Sequence, residues 1–357
     1  MHTFIITRIV IIKMNRQNIL ILFGGESSEH EVSIASARNV FSAIDSDKYR
    51  ISLGYIDRSG RWYIVDNIDD IDSNSERFPI APVFGSSHFS ILGKSDTINP
   101  DVIFPVLHGV NGEDGSVQAV AQLLHIPIVG CGVTSSAICM DKVFTKQLLE
   151  QNDIKTVPYV SHLAGDELPD FDSLSSGLGG VLFVKPANGG SSVGVAKVSN
   201  QNEFQEALKK AHEFDNKVLI EQAIEAREIE IAVLGNGSGA RVSGAGEIMP
   251  DRDFYDYDSK YDPSSKTLVD IPAKISKELY EEISSTAGNA YKVLGCSGLA
   301  RIDFFLTEEE EVYLNEVNTL PGFTDISMYP KLWQQEGMSY PELIDELIQS
   351  ALALAKT

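Results

Sequence analysis

Short runs of β-branched and aliphatic residues alternate with helix-like segments between residue 18 and about residue 130. The apolar runs cover residues 19–23, 49–56, 102–107 and 126–129, and the helix-like segments cover residues 33–44 and 115–124. This alternation predicts an α/β domain in which helices wind around a parallel sheet. Ligands of such sheets bind beyond the carboxyl ends of the strands. Two loops have that position, residues 24–32 and 108–115, and both are candidate parts of a binding site.

The pattern changes after about residue 131. Helices are predicted at residues 141–151 and 202–212, and strands at 181–185, 193–198 and 217–221. Beyond residue 227 the sequence predicts strands 229–234 and 244–248, a polar loop 250–272, a helix 276–294, a hairpin of strands 299–306 and 311–318, and a final helical region. We therefore expect three domains, residues 14–130, 131–226 and 227–357, with α/β character first and α+β character in the C-terminal half.

The first thirteen residues do not fit this organisation. Residues 4–12 are apolar but contain Arg8, and they are shorter than the about 20 residues that a membrane-spanning helix needs. No small-residue cleavage site follows them, so a signal peptide is not indicated. Met14 precedes the first strand-like run, and we expect residues 1–13 to be a dispensable extension, with either Met1 or Met14 as the start.

The charge and the cysteine content narrow the function classes. The chain of 357 residues has 29 Lys and Arg against 51 Asp and Glu, a net charge of −22. Such an anionic excess repels a phosphate backbone, which argues against nucleic-acid binding. The three cysteines, Cys131, Cys139 and Cys296, form no CxxC pattern and are odd in number. They are typical of a reducing cytoplasm, and we expect them to be small buried residues.

Residues 185–194, KPANGGSSVG, form a glycine-rich loop between two predicted strands. Glycines let backbone N–H groups approach an anion closely, and Lys185 adds a positive charge at the strand end. The loop is a candidate phosphate lid. It is not a Walker A loop, because the lysine precedes the glycines and a strand rather than a helix follows. Alone, it could equally be a flexible hairpin turn.

The final predicted hairpin carries polar side chains in otherwise apolar strands. With period-two alternation, Arg301 and Asp303 share one face of their strand, and Glu316 and Asn318 share one face of the next. Two carboxylates and an amide oxygen suit Mg²⁺, which takes few protein carboxylates together with substrate phosphates. A solvated sheet edge could explain one of these residues, but not the matched set. Residues 308–311 are acidic and are expected to be a solvated turn.

Two further segments are ambiguous by themselves. The loop 24–33, GGESSEHEVS, has three acids, of which one could receive an ammonium group. Its alternative role is to cap a helix through Ser27 or Ser28, with Glu31 in the first turn. The segment 253–261, DFYDYDSKY, combines aromatic, acidic and basic residues and could be a lid that closes over a charged ligand. Disordered surface is the alternative.

Taken together, the motifs resemble those of the D-alanine–D-alanine ligases, a family of the ATP-grasp superfamily. The resemblance runs from about residue 14 to the C-terminus. The motifs occur in the family's order: GGESSEHEVS at 24–33, HGVNGEDG at 108–115, MDK at 140–142, KPANGGSSVGV at 185–195, YDYDSKY at 255–261, RIDFF at 301–305 and NEVNTLPGFTDISMYP at 315–330. The resemblance implies an ATP-grasp fold, with an N-terminal doubly wound domain that binds the substrate and two domains that clamp ATP.

The resemblance also implies a nucleotide site. Lys142 and Lys185 would contact phosphates, Glu221 with the backbone of Ala223 and Ile224 would hold adenine, and Glu228 would hold the ribose. The implied ATP-binding set is Lys142, Lys185, Gly189, Gly190, Ser191, Ser192, Val193, Glu221, Gln222, Ala223, Ile224, Glu228, Lys260, Phe305, Asn315 and Glu316. Two metal ions, Mg²⁺ or alternatively Mn²⁺, would be held by Asp303, Glu316 and Asn318.

For the amino-acid substrates, the resemblance implies that Glu29 receives the ammonium group of the first D-alanine. The implied substrate-binding set is Glu29, Val32, His108, Lys260, Tyr261, Arg301, Gly322, Ser327 and Met328, and the implied catalytic set is Glu29, Ser191, Tyr261 and Arg301. Glu29, Ser191 and Tyr261 would link the acidic loop, the phosphate lid and the long loop. Arg301 and the backbone of Gly322 would stabilise the oxyanion, and Ser327 with Lys260 would bind the second carboxylate.

The implied activity is the ATP-dependent ligation of two D-alanines for peptidoglycan precursors, in a cytoplasmic homodimer. Two positions depart from some relatives: Gln222 replaces lysine or glutamate beside the adenine, and Ile326 replaces histidine near the second substrate. Tyr261 favours amide formation. D-alanyl-D-lactate or D-alanyl-D-serine ligation remains an alternative, as does an ATP-grasp binding protein without catalysis.

Overall fold

The computed structural model describes residues 16–69, 71, 76–190, 193–249 and 268–354, and three sheets organise them. The N-terminal sheet has seven strands in the order β6-β5-β4-β3-β2-β1-β7. Its elements are β1 (Gln17–Gly24), α1 (His30–Ala43), β2 (Tyr49–Ile56), β3 (Trp62–Val65), β4 (Phe78–Pro82), β5 (Phe89–Ile91), β6 (Thr97–Ile98), β7 (Val102–Val106) and α2 (Ser116–Leu123). Strand β1 pairs in parallel with both β2 and β7. Because both faces of β1 are covered, residues 19–23 are entirely apolar and fully buried.

Only these three strands have the parallel pairing that the sequence predicts. Strands β2 to β6 form an antiparallel meander. The meander strands have two to five residues beyond β2, too few for a clear period-two pattern. The α/β class is correct, but its parallel part is smaller than expected.

The predicted strand at residues 126–129 is wrong. This segment makes a single parallel bridge, between Ile103 and Ile128. The N–H of Ile103 donates to the carbonyl of Pro127 (2.8 Å), and the N–H of Val129 donates to the carbonyl of Ile103 (2.9 Å). Pro127 has no N–H to continue the ladder, so the pairing stops there.

The second sheet is antiparallel, with the order β10-β9-β11-β8. The elements of this region are α3 (Val133–Met140), α4 (Lys142–Glu150), β8 (Tyr159–Leu163), α5 (Phe171–Leu178), β9 (Leu182–Pro186), β10 (Ala196–Val198), α6 (Gln201–Ala211) and β11 (Lys217–Gln222). The glycine-rich loop joins β9 to β10, as predicted, although β10 begins three residues later than the predicted strand. Asp141 caps α4 by accepting hydrogen bonds from the N–H groups of Val143 and Phe144.

The third sheet has the order β14-β13-β12-β15-β16 and is antiparallel. The remaining elements are β12 (Arg227–Asn236), a 3₁₀ turn (Gly237–Gly239), β13 (Arg241–Met249), β14 (Leu268–Asp270), α7 (Lys277–Val293), β15 (Ser297–Leu306), β16 (Val312–Asn318), α8 (Met328–Gln335) and α9 (Tyr340–Leu354). Helix α7 packs its apolar face on β12, β13 and β15. The predicted closing hairpin is therefore confirmed as β15 and β16.

One hydrophobic core joins the first and third sheets. It contains apolar residues of β1, α1 and β7 together with residues of β12, α8 and α9. Polar contacts reinforce the junction: the Tyr49 hydroxyl donates to Asp345 in α9 (2.7 Å), and the Asn39 side chain donates to the carbonyl of Phe323 (3.1 Å). The N-terminal sheet and the C-terminal helices of the described residues are thus packed together. No helix in the described part of the chain is long and apolar enough to cross a membrane.

The junction also contains a close backbone contact between Gly130 and Gly298. Both glycines have positive φ angles, +106° and +69°. A Cβ added to Gly298 would lie 2.9 Å from the backbone N and Cα of Gly130, which is too close for any side chain. Gly295 has a similar φ of +66°, but a Cβ added there meets nothing within 4 Å.

This pair separates backbone strain from steric overlap. Gly295→Ala is expected to cost about 1–2 kcal/mol of unfolding free energy from the left-handed conformation alone. Gly298→Ala is expected to cost about 1–3 kcal/mol more, because the two backbones must move apart. Urea unfolding of both variants measures the difference. Equal losses would show that the contact at Gly130 tolerates a methyl group.

Candidate active site

A cleft lies between the loops after β1 and β7, the start of α4, the glycine-rich loop and the segment after β16. It brings together many of the side chains that the sequence nominates. The predicted site residues that line it are Glu29, His108, Lys142, Gly189, Gly190, Arg301, Glu316, Asn318, Gly322, Ser327 and Met328. The cleft therefore joins segments that are up to 300 residues apart in the sequence.

The acidic loop contributes Glu29. Strand β1 ends at Gly24 and Gly25, whose φ angles of 94° and 100° turn the chain back towards α1. Glu29 is 8% exposed and faces the cleft. The other two acids of the loop point elsewhere: Glu26 accepts a hydrogen bond from Asn111 (2.7 Å), and Glu31 pairs with Arg58 (2.6 Å) on the surface. Only Glu29 is therefore placed to meet a ligand in the cleft.

The alternative role of this loop, capping of α1 by Ser27 or Ser28 with Glu31 in the first turn, is confirmed only for Glu31. The cap position is occupied by Glu29, whose side chain makes no capping hydrogen bond. The Ser27 hydroxyl instead accepts a hydrogen bond from the N–H of Glu29 (3.1 Å). The loop is shaped to hold Glu29 rather than to end the helix.

The glycine-rich loop contacts the acidic loop across the cleft. A Cβ added to Gly190 would lie 3.2 Å from Oε2 of Glu29. Beside it, Lys142 Nζ donates to the carbonyl of Gly189 (2.7 Å). Burial lowers the pKa of Lys142. The first residue of α4 thus fixes the glycine loop next to the acid.

His108 and Glu113 form a buried pair on the other side of Glu29. The ring nitrogen Nδ1 of His108 is 3.1 Å from the carbonyl of Leu320 and 4.0 Å from Oε1 of Glu113. Nε2 of His108 is buried and has no hydrogen-bond partner among the described residues. Burial lowers the pKa of His108, so the ring is neutral near pH 7. Burial and the charge of Glu29 raise the pKa of Glu113 well above its ordinary value.

The register of the hairpin β15–β16 brings the two predicted pairs of polar residues opposite each other. Arg301 lies opposite Asn318, and Asp303 lies opposite Glu316. A bulge follows Asp303, where Asn315 is the extra residue. The four polar side chains therefore share one patch of the sheet.

Arg301 is held by two carboxylates. Its Nε and Nη2 donate to the oxygens of Asp303 (2.8 and 2.7 Å), and its Nε is also 3.0 Å from Oε2 of Glu230. Burial opposes the charge, but Asp303 and Glu230 raise the pKa of Arg301 well above its ordinary value. The guanidinium is permanently charged and fixed in orientation.

The segment after β16 forms the remaining wall. The Ser327 hydroxyl accepts a hydrogen bond from the N–H of Thr324 (2.9 Å). Ser327 is the residue immediately before α8. A Cβ added to Gly322 would lie 2.8 Å from Oγ of Ser327, so only glycine fits beside it. Ile326 also lines the cleft and is 59% exposed. A hydroxyl and a helix N-terminus together suit a carboxylate.

Residues 18–131 match the family described as D-ala D-ala ligase N-terminus, and residues 148–349 match D-ala D-ala ligase C-terminus. The chain belongs to the D-alanine–D-alanine ligase family.

Similar proteins cover nearly the whole chain. A D-alanine–D-alanine ligase from Oceanobacillus iheyensis is 46% identical over 94% of this chain and 95% of its own length. One from Thermoanaerobacter sp. strain X514 is 46% identical over 95% and 97%. A solved D-alanine-D-alanine ligase from Coxiella burnetii has a TM-score of 0.86 and 36% identity, covering 96% of this chain and 95% of that one. A D-Ala:D-Ser ligase from Enterococcus faecalis has a TM-score of 0.85 and 36% identity, covering 94% and 100%.

The other family positions are not among the residues that line this cleft. Asp303 accepts hydrogen bonds from Arg301, and Val32 is buried in α1. Val193 lies in the glycine-rich loop. The rest lie in or next to β9, β11, β12 and the β15–β16 hairpin: Lys185, Glu221, Gln222, Ala223, Ile224, Glu228, Phe305 and Asn315. Among these, the N–H of Ala223 already donates to the carbonyl of Val181 (3.0 Å). Ser191, Ser192, Lys260, Tyr261 and most of the 250–272 loop fall outside the described residues.

Three charged residues in or near the site were not predicted: Lys146 and Glu230, which are buried, and Glu113, which is partly buried. Glu113 lies in the HGVNGEDG motif, and Glu230 stands in an apolar strand, so both left a signal in the sequence. Lys146 lies one turn after Lys142 on α4 and is 1% exposed. No sequence pattern marks it, because its partner comes from β11.

Lys146 and Lys185 share one carboxylate, that of Glu221. Lys146 Nζ is 2.5 Å from Oε1 of Glu221 and also donates to the carbonyl of Val157 (3.0 Å), while Lys185 pairs with Oε2. Burial alone would raise the pKa of Glu221, but the two lysines outweigh it and lower the pKa. Two cations around one buried acid leave a net positive charge beside the glycine-rich loop.

Replacing Glu221 by glutamine leaves two buried lysines without their anion. The free energy of unfolding at pH 7 is expected to fall by about 3–5 kcal/mol, as when one partner of a buried ion pair is removed. The folded-state pKa of Glu221 is below the ordinary 4.5, so its contribution is complete above pH 4.5 and is lost as the pH falls through the folded-state value. Urea unfolding at several pH values measures both effects.

Glu225→Gln is the matched control, because Glu225 is exposed and near the same strand. Its unfolding free energy should stay near that of the parent protein. If the Glu221→Gln difference did not shrink in acid, Glu221 would not be ionised in the folded state.

Proposed function

We propose that this protein ligates two molecules of D-alanine to D-alanyl-D-alanine, using ATP and releasing ADP and phosphate, for peptidoglycan precursor synthesis. The observation that supports this most is the meeting of three groups in one cleft: the buried carboxylate of Glu29, the glycine-rich loop at Gly190, and the guanidinium of Arg301. An amino acid needs a receptor for its ammonium group, and its activation needs phosphate and oxyanion sites. The family relationship supports the same reaction.

The reaction follows from the charges of its reactants. A carboxylate is a poor acceptor for an amine, so the first D-alanine attacks the γ-phosphate of ATP and becomes D-alanyl phosphate. Both reactants are anions, and Lys142, Lys185 and Arg301 would offset their repulsion and the charge of the transferring phosphoryl group. The bond between the γ-phosphorus and the bridging oxygen breaks, and ADP leaves with the electron pair.

The donors at the β15–β16 hairpin fit the two Mg²⁺ ions that the family implies, with Mn²⁺ as an alternative. Asp303 and Glu316 would hold one ion, and Glu316 with the amide oxygen of Asn318 would hold the other. These are hard oxygen donors with few carboxylates, which leaves coordination positions for phosphate and water. Bound there, the metal would neutralise phosphate charge. No group of three or more His, Cys, Asp or Glu side chains in the described residues is arranged as a metal site by itself.

The second D-alanine would then attack the carbonyl carbon of the acyl phosphate as a neutral amine, and phosphate leaves. Arg301 and the N–H of Gly322 would stabilise the oxyanion of the tetrahedral intermediate. Ser327 and Lys260 would bind the second carboxylate. Closure by Ser191, Ser192, Tyr261 and the 250–272 loop would exclude water, which hydrolyses acyl phosphates. Neutral His108 would line the pocket with its free Nε2.

Incubation with ATP, Mg²⁺ and D-alanine, followed by phosphate detection and mass spectrometry, tests the proposal. D-alanyl-D-alanine and stoichiometric phosphate are expected. D-Serine and D-lactate should also be offered as second substrates. The reason is that the solved D-Ala:D-Ser ligase and the solved D-alanine-D-alanine ligase are each 36% identical in sequence to this chain. If no phosphate were released with any of these substrates, the alternative of a binding protein without catalysis would be favoured.

We also propose a cytoplasmic homodimer, which the family relationship supports. All three cysteines are free and buried, consistent with the sequence-based interpretation. Sedimentation analysis would measure the mass of the assembly.

Glu29→Gln tests the ammonium receptor. Loss of one charged hydrogen bond is worth about 1.5–3 kcal/mol, so KM for the first D-alanine should rise roughly 10- to 100-fold. Glu31→Gln, from the same loop but paired with Arg58 on the surface, should leave the kinetics unchanged. Similar effects of the two substitutions would remove Glu29 from its assigned role.

Arg301→Ala tests the oxyanion site. Nucleotide binding should be retained while the ligation rate falls by about 10²–10³-fold, as for the removal of an oxyanion donor. Turnover and the affinity for an ATP analogue, measured together, separate the two effects. Arg241→Ala serves as a control, since that arginine is exposed and pairs with Glu346. Normal turnover by the Arg301 variant would refute the assignment.

A further inference from the structure

A cluster of three thiols lies beneath the cleft. Cys131, Cys139 and Cys296 are all buried, at 1%, 7% and 6% exposure. Sγ of Cys139, near the end of α3, is 3.9 Å from Sγ of Cys296, just before β15. Cys131 lies beside them and donates to the carbonyls of Ser297 and Leu299 (3.5 and 3.6 Å). Nothing in the ligation reaction uses these thiols.

The three thiols differ in their access to small molecules. Cys139 lines the cleft, and neither Cys131 nor Cys296 does. A hydrogen bond to Cys296 and burial raise the pKa of Cys131. The pKa of Cys296 is also raised, because its hydrogen bond with Cys139 and its burial outweigh the lowering effect of Cys131. Cys139 is therefore the thiol that a reactant entering the cleft meets first.

We propose that Cys139 and Cys296 form a reversible disulfide when a peroxide enters the cleft. Cys139 first attacks one oxygen of the peroxide, the O–O bond breaks, and Cys139 becomes a sulfenic acid while one water leaves. The sulfur of Cys296 then attacks the sulfur of Cys139. The S–S bond forms, the S–O bond breaks, and the departing oxygen takes the thiol proton of Cys296 to leave as a second water. Two thiols lose two electrons, and the peroxide gains them.

The disulfide would act on the phosphate side of the cleft. An S–S bond is about 2.05 Å long, so the two sulfurs must move closer than the observed 3.9 Å. Cys139 is two residues from Asp141, which caps α4 and pairs with Lys217, and three residues from Lys142. Lys142 holds the glycine-rich loop through the carbonyl of Gly189. Pulling the end of α3 towards β15 displaces this lysine, so oxidation is expected to slow the enzyme.

The experiment begins with reduced full-length protein under anaerobic conditions and hydrogen peroxide as the oxidant. The thiol count, measured after denaturation, should fall from three to one, and peptide mapping should show Cys139 joined to Cys296. Phosphate release with D-alanine should fall by about 10- to 100-fold, as for displacement of a positioning group by about 1 Å. Dithiothreitol should restore it. Prior saturation with an ATP analogue should slow the oxidation, because the nucleotide fills the cleft.

Variants separate the roles of the thiols. Cys131→Ala should still form the disulfide and lose activity reversibly. Cys296→Ala should form no disulfide and should keep most of its activity after the same peroxide treatment, because no bond then pulls the end of α3 towards β15. Cys296→Ser provides a second variant if the alanine substitution weakens the fold, and thermal melting checks both.

Three thiols remaining after treatment, a bond that includes Cys131, or a Cys139–Cys296 bond with unchanged activity would each overturn the proposal. Disulfide mapping does not depend on the ligation reaction. A protein that forms the bond but ligates nothing would therefore refute the proposed function and leave the thiol chemistry supported.

Discussion

The largely buried guanidinium of Arg301 is the charge around which the β15–β16 wall of the cleft is built. It lies in an apolar strand, where an uncompensated charge would cost several kcal/mol. Asp303 on its own strand and Glu230 on the neighbouring strand supply the compensation. This arrangement requires the registers of β12, β15 and β16 to be fixed together, since a slip of one residue would move a carboxylate to the opposite face. The strand registers that form the sheet therefore also set the positions of the charged groups in the site.

The side of the cleft next to the glycine-rich loop is balanced in the same way. Lys146 and Lys185 surround Glu221, and Lys217 pairs with Asp141. An acidic protein of net charge −22 thus contains a local region in which cations equal or exceed anions. The net negative charge repels long phosphate polymers, whereas a single triphosphate can still meet the local cations. An anionic ligand can form ion pairs with these lysines in place of their carboxylate partners.

How far the sequence predicts this site depends on where the partner of each residue comes from. That Arg301 shares a face with Asp303, and Glu316 with Asn318, follows from alternation within each strand, and the structure adds the register that sets these pairs opposite each other. Glu29 could be singled out among three acids only through the family resemblance. The structure adds the physical reason, since the other two acids have surface partners. Lys146 could not be found, because α4 and β11 are distant in sequence and helical periodicity does not distinguish a buried lysine from an exposed one.

The core shared by the first and third sheets determines when folding can finish during synthesis. Residues of β1, α1 and β7 pack against α9, which ends at Leu354. During synthesis the N-terminal sheet emerges early, but the apolar face that packs against α9 remains uncovered until α9 has left the ribosome. The N-terminal sheet must therefore stay soluble while the residues up to 354 are synthesised, and a chain truncated before residue 340 would leave that face uncovered.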